Sequence, residues 1–485
     1  MPRKLTMLLT TTALVAATTS ANAHQAVDKR LLQMIKDVPS TEIPDKPGRI
    51  AKGRKLFLEE KFGGNGRTCG TCHEPANNFT IDPKFIATLP NSSPLFVAER
   101  NRDLRGLENP ELMRKFGLIL ENLDGFENPG VMRGVPHTLG LPTSIQVDST
   151  RPPSPLINAT GWSGDGAPGK GSLREFAVGA VVQHFTKTLL RRENVDFRLP
   201  TEQELDALLD FQLSLGRRKD ISLVGVVFRD QNVEIGRQLF LNAPSRNGAG
   251  RNCNFCHANG GANDTNGNNR QFNTGAARAP TAPVCRGRAP GDGGFGSTPI
   301  NTVAVESICA DPLTTASVTY RGDGSFNTPP LVEAADTGPF FHNNSVNTIE
   351  EAVDFYTSDT FDNSPSGAGN AFVLEDIEVF EIAAMLRTIN AQDNIRNSNA
   401  LDIRAMTEEN AKARETIREA LADTNDAIKV LKGAKIPIYP NTTIVSLLQQ
   451  AAAAEQLALI NPSRRKAFLA LAIARKNQAQ PQFTQ

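Results

Sequence analysis

Cys69-Gly-Thr-Cys72-His73 and Cys253-Asn-Phe-Cys256-His257 are two copies of one short pattern, Cys-X-X-Cys-His. This is the attachment signature of c-type haem. Two residues between the thiols let one helical turn reach both vinyl groups of the porphyrin. The adjoining His then lies under the iron as its proximal ligand. A redox dithiol and half of a zinc site also use paired cysteines. The dithiol does not need the following His, and the zinc site needs a second ligand pair close by. The expectation is two covalently bound c-type haems. Cys69, Cys72 and His73 hold one, Cys253, Cys256 and His257 the other, with His73 and His257 on the metal.

Each copy sits in the same setting. Gly53-Arg54-Lys55-Leu56-Phe57-Leu58 begins sixteen residues before Cys69, and Gly236-Arg237-Gln238-Leu239-Phe240-Leu241 begins seventeen before Cys253. In both, a short amphipathic helix leads through a Gly/Asn-rich loop into the motif. A helical pattern then closes each unit. Residues 202–215 space Leu205, Leu208, Leu209 and Phe211 for one face, and residues 375–389 do the same with Ile377, Phe380, Ile382 and Leu386. A first helix, a haem motif and a closing helix make the cytochrome c plan. The sequence predicts a mainly α fold of two tandem cytochrome c domains with long loops, residues 24–225 and 226–396. They join near residues 217–232, and a helical extension follows over 397–485. Copies this far apart read as a duplication rather than a solenoid.

The chain has 485 residues, enough for two or three domains. Lys+Arg and Asp+Glu balance at 52 each, so bulk charge implies neither a nucleic acid nor a membrane surface as partner. Residues 1–23 read as a secretory signal peptide. Arg3 and Lys4 are the basic start, Met7 to Ala17 is an apolar run too short to span a bilayer, and Ala21-Asn22-Ala23 is the cleavage site. No later segment is expected to span a membrane, so the mature protein is expected to be periplasmic. That agrees with haem attachment outside the bacterial cytoplasm. Six cysteines less four haem thioethers leave Cys285 and Cys309, which form a disulfide or remain two free thiols. Residues 140–172 and 258–300 read as loops. Residues 401–432 and 442–477 read as helices broken at Ile436-Pro-Ile-Tyr-Pro440, either packed on the haem domains or forming a partner-binding hairpin.

Three further stretches bear on function. Cys69-Gly-Thr-Cys-His-Glu-Pro-Ala-Asn-Asn-Phe-Thr80 surrounds the first motif, and Phe326-Asn-Thr-Pro-Pro-Leu331 follows the second. Thr337-Gly-Pro-Phe-Phe-His342-Asn-Asn-Ser-Val346 then leads into Thr348-Ile-Glu-Glu-Ala-Val-Asp-Phe-Tyr356. On these motifs, residues 45–395 resemble the bacterial diheme cytochrome c peroxidase superfamily, and within it the MauG-like branch. The resemblance implies an oxidoreductase whose C-terminal haem receives electrons from a small redox protein (a cytochrome c or cupredoxin) or from a quinol. The N-terminal haem, open on its distal side, then reduces H2O2 or supports oxidation of another substrate. A homodimer is compatible with this.

The resemblance also assigns roles. Tyr356 stands fourteen residues after His342, where the peroxidases carry a Met ligand and the MauG-like branch a Tyr ligand to the C-terminal haem. A Tyr there favours ferric iron. Met385 and His184 are the competing sixth ligands, and His342 lies beside that haem. The distal side of the N-terminal haem corresponds to Thr160-Gly-Trp162-Ser-Gly-Asp-Gly166 and Leu173-Arg174-Glu175-Phe176-Ala177. There the catalytic Glu position holds Arg174, with Glu175 as its neighbour, and no Gln stands at the expected place. Glu175 or His184 is then left to move protons. The segment that carries an inter-haem Trp in the family, Arg133-Gly-Val-Pro-His137-Thr-Leu139, has none. Trp162, the only Trp, takes that role from a shifted position or packs over the distal face. His137 approaches a haem edge or is an ordinary loop residue.

The diheme rubber oxygenases share the haem pair and the His-loop block. They use an apolar distal pocket with a Phe, bind O2 and cleave an alkene; Phe176, fourteen residues after Trp162, suits that description. Thr337 and Pro339 match two backbone positions of an inter-domain Ca2+. A non-enzymatic electron carrier, its haems both closed by His or Met, is the alternative from another class, with His137 and His184 as the spare ligands.

Overall fold

A computed structural model describes residues 48–123, 125–127, 130–144, 160–164, 172–246, 248, 252–278, 292–295, 322–368, 370–433 and 442–485. The expected signal peptide, Cys285, Cys309 and the Ile436–Pro440 break lie outside them. The fold is mainly α, as the sequence predicts. The helices that frame the sites are α1 (Arg49–Glu59), α2 (Leu173–His184), α3 (Glu202–Gln212), α4 (Gln231–Asn242), α5 (Ile349–Asp354) and α6 (Asp376–Ala405). Three more, α7 (Asn410–Lys432), α8 (Thr443–Ile460) and α9 (Arg465–Ala479), follow. Two short antiparallel ladders pair β1 (Leu118–Glu121) with β2 (Val131–Gly134) and β3 (Gln271–Phe272) with β4 (Phe326–Asn327).

The repeated hexapeptide is a repeat in space. Helix α1 crosses α3 at Gly53, where an added Cβ would lie 1.9 Å from the Ala207 carbonyl oxygen. Helix α4 crosses α6 at Gly236, where it would lie 1.8 Å from the Glu381 carbonyl oxygen. Only a residue without a side chain allows backbones to approach so closely. The glycine that opens each hexapeptide is therefore the point at which each unit's first helix meets its closing helix. Helix starts are fixed locally as well. Ser172 with Glu175, Thr201 with Glu204, and Thr348 with Glu351 form reciprocal capping boxes for α2, α3 and α5.

Leu56, Phe57, Val181, Phe185, Ala207, Leu208 and Phe211 make the core of the first unit. In the second, Val233, Phe240, Ile382, Leu386 and Ile389 form a core that runs without a break into Val430, Leu431, Val445 and Leu448 of α7 and α8. All described residues belong to one compact unit. Helix α6 is a single 30-residue helix. It passes straight through the boundary expected at residues 396/397, because neither Gly nor Pro interrupts residues 376–405.

From the sequence, no segment after residue 23 is expected to reach membrane-spanning length. Helix α8, 18 residues with a mean hydropathy of 1.2, is long and apolar enough to cross a bilayer. Half of it is buried inside the protein. Its Glu455 is wholly buried and accepts from Lys476 Nζ on α9 at 2.7 Å. Lys476 also donates to Asp402 at 2.7 Å and to Ser398 at 2.6 Å, both on α6. The apolar length of α8 is thus spent on a helical bundle with an ionic centre.

Candidate functional site

Both Cys-X-X-Cys-His motifs form a single tight turn. In the first, Thr68 and Thr71 cap each other's backbone, and the His73 amide donates to the Cys69 carbonyl at 2.9 Å. In the second, the His257 amide donates to Cys253 at 3.0 Å. The rings are held alike. Nδ1 of His73 lies 2.9 Å from the Phe79 carbonyl oxygen, and Nδ1 of His257 lies 3.1 Å from that of Pro329. A carbonyl only accepts, so Nδ1 carries the proton and Nε2 keeps its lone pair. Burial pushes both imidazoles down to about 4, so both are neutral at pH 7. Burial pushes the thiols of Cys69, Cys72 and Cys253 up to about 12. A redox dithiol needs a lowered thiol pKa. Among the described residues no group of three or more His, Cys, Asp or Glu side chains is placed to hold a metal ion.

Each motif opens on a cavity. The first, about 930 Å³ including its mouth, is lined by Cys69, Cys72, His73, Phe57 of α1 and Leu208 of α3. The second, about 1400 Å³, is lined by Cys253, Cys256, His257, Phe240 of α4 and Ile382 and Leu386 of α6. Phe57 and Phe240 hold the same place in the two hexapeptides. A third cavity is bounded by His73, His137, Leu331, Thr337, Pro339 and Phe341.

Trp162 lines all three cavities. Its indole Nε1 donates to the Gly134 carbonyl of β2 at 2.7 Å, and its own carbonyl accepts from Asn327 of β4 at 2.6 Å. The side chain is thus anchored on the first unit and its backbone on the second. The Gly134 amide in turn donates to the His342 carbonyl at 2.7 Å.

Tyr356 lines the second cavity among Phe341, Phe355, Phe361 and Phe372, with ring centroids 5.0 to 6.4 Å away. Burial pushes its hydroxyl pKa well above the ordinary value, helped by the nearby Cys256 and Cys253 sulfurs. His342 lines the same cavity, stacked on Phe326 at 3.6 Å with an 11° tilt, and burial lowers it to about 4. Met385 is wholly buried in the helix core and does not line the cavity.

The other face of the first cavity departs from expectation. Glu175 turns back to Ser172, its carboxylate accepting from the Ser172 hydroxyl at 2.9 Å. Arg174 points outward to Glu202 and Asp206. Neither lines the cavity, because the helical period that puts Phe176, Ala177, Ala180 and His184 on its wall rotates residues 174 and 175 away. The Ser172-X-X-Glu175 capping box was legible in the sequence and competes with a catalytic role for Glu175.

His184 lines the cavity, and its Nδ1 is buried without a hydrogen-bond partner among the described residues. Its Nε2 lies 3.0 Å from Glu121 Oε1, and its Nδ1 lies 3.8 Å from Glu108. Burial opposes its charge, but the Glu121 and Glu108 carboxylates outweigh that and raise it to about 9. Glu108 is itself gripped by Arg67 at 2.7 Å. Sequence reasoning missed Glu121, Glu108 and Arg67, and no spacing rule would have joined them. His137, buried near Arg217, is lowered to about 4 and faces the third cavity with Thr337 and Pro339. No family model matches this chain, and no curated protein is significantly similar to it.

Proposed function

We propose that the first and second cavities each hold one c-type haem and that the protein is a diheme oxidoreductase of the cytochrome c peroxidase type, MauG-like in its second site. The observation that carries this reading is the matched histidine pair. His73 and His257 each follow a Cys-X-X-Cys turn, give Nδ1–H to a backbone carbonyl, and keep a neutral Nε2 at a cavity of ligand size. The neutral thiols of Cys69, Cys72 and Cys253 fit thioether attachment better than disulfide exchange. Each bound haem supplies one-electron redox chemistry, and an open one also supplies a binding position for O2 or H2O2.

The chain makes the two sites unequal. Tyr356 would offer an oxygen donor to the group held in the second cavity, from within a cage of Phe side chains. The first cavity presents Phe176, Ala177 and Ala180 on α2, where among the described residues no Tyr or Met stands to close it. Trp162, in the wall common to the cavities, couples them. The first site is therefore the reactive one, and the second receives electrons from a small redox protein or quinol. The two-domain cytochrome c arrangement belongs to the same proposal; the paired Gly53 and Gly236 crossings support it.

Phe176 on the cavity wall, where a peroxidase presents a carboxylate, favours a second reading: an oxygenase of the rubber-oxygenase type acting through bound O2. Haem counting by alkaline pyridine spectra, with optical and EPR spectra before and after H2O2, tests both. Two haems per chain, one high-spin and one low-spin in the ferric state, are expected. Two low-spin haems that ignore peroxide in every redox state would leave only an electron carrier. A peroxide-inert protein whose ferrous first haem takes up O2 would select the oxygenase.

A further inference from the structure

We propose that Glu121, on the rim strand β1, is the proton acceptor of the first cavity, and that His184 positions it there. This rests on the reading that the first cavity holds the reactive haem.

The assignment follows from geometry. Glu121 ends β1 and lines the cavity. One carboxylate oxygen, Oε1, is bound by His184 Nε2 at 3.0 Å. The other, Oε2, is buried and has no hydrogen-bond partner among the described residues. A buried carboxylate oxygen left unmatched is costly, and an acceptor at the wall of a reaction cavity is the arrangement that proton transfer requires. The neighbouring charges are already matched. Arg67 is taken by Glu108, and Arg133, also on the cavity wall, is taken by Asp292 at 2.5 Å. Both oxygens of Glu108 are taken, by Arg67 and by the Leu120 amide, so of the two carboxylates it is Glu121 that keeps an oxygen without a hydrogen-bond partner among the described residues.

The carboxylate is also held still. Gln183, wholly buried beside His184, donates to the Leu120 carbonyl at 3.3 Å and to Asn122 Oδ1 at 3.2 Å, and accepts from the Asn122 amide at 3.2 Å. Two successive residues at the end of α2 thus clamp both sides of Glu121. A cation is favoured at the C-terminus of a helix, which suits a protonated His184. The raised His184 pKa agrees with this.

The step assigned to Glu121 is a proton transfer alone. A weak acid entering the cavity loses its proton, its bond to hydrogen breaks, and a new O–H bond forms on Oε2; no electrons change owner. The pair replaces the Arg174 and Glu175 positions that α2 turns away from the cavity.

Hydrogen cyanide tests this without turnover, since HCN must lose a proton to bind ferric haem whereas carbon monoxide binds ferrous haem with none to lose. The parent is expected to bind both at one haem. In Glu121→Gln, the cyanide association rate at pH 7 should fall about 100-fold, with carbon monoxide association within twofold of the parent. His184→Gln should lower the cyanide rate about tenfold and leave carbon monoxide unchanged. If Glu121→Gln loads fewer than two haems, Glu121→Asp, which keeps the carboxylate but draws it back, should show a cyanide rate reduced about tenfold. Unchanged cyanide rates, or equal losses for both ligands, would overturn the proposal. A parent that binds neither ligand would instead overturn the reactive-haem reading, and this assignment with it.

Discussion

Gly236→Ala tests the closest helix crossing in the second unit. The new Cβ would lie 1.8 Å from the Glu381 carbonyl oxygen and 2.9 Å from the Ile382 nitrogen, and ordinary contact begins at 3.4 Å. Helices α4 and α6 must therefore part by about 1.6 Å. The obstacle is backbone on both sides, so no side chain can swing away. Overpacking of this kind costs about 1–3 kcal/mol, and the size of the displacement puts it near the upper end. Alanine's better helix propensity returns about 1 kcal/mol. The expected net loss is about 2 kcal/mol, measured by guanidinium unfolding of the haem-loaded protein. Because Phe240 rides on α4 and lines the second cavity, the low-spin spectrum should shift while the high-spin one stays. Gln238→Ala on the same helix, outside the crossing, should stay within about 0.5 kcal/mol. A Gly236→Ala protein stabilised by about 1 kcal/mol, as helix propensity alone dictates, would refute the close crossing.

Tyr356→Phe should abolish the low-spin ferric signal of the second haem in EPR while leaving the haem count at two; an unchanged signal removes Tyr356 as a ligand. His184 makes stability depend on pH. Its pKa is raised in the folded state to about 9 from an ordinary 6.5. Its contribution is therefore complete below pH 6.5 and is lost as pH rises through 9. The upper bound is about 3 kcal/mol. Urea unfolding at pH 6 and pH 10 should show the loss in the parent, and His184→Gln should lack that increment.

The sequence is most legible where chemistry demands fixed spacing. Cys-X-X-Cys-His places two thiols and an imidazole on one turn, and both turns form as their spacing requires. The repeated glycines were visible as a repeat, and the structure supplies the reason, a backbone contact that excludes any side chain. Trp162 was marked by its rarity, and it lies where three cavities meet. Glu121 was not legible. It ends a short strand, and its partner His184 comes from a helix more than sixty residues later in the chain; only the fold brings them to one wall. Glu175 is legible as the partner of Ser172 in a capping box, and in the structure its carboxylate is engaged there. Helix α6 runs past the expected boundary at residue 396 because its amphipathic period is lost where residues 381–391 are buried on every side, and no Gly or Pro marks a stop.

That long helix has a mechanical consequence. At about 1.5 Å per residue, α6 is a rod of about 45 Å. Ile382 and Leu386 near one end form the wall of the second cavity, and Ser398 and Asp402 farther along are bolted to α9 through Lys476. The extension therefore carries no hinge between itself and the second site. A load placed on the extension is passed along α6 to the wall of that cavity rather than absorbed between them.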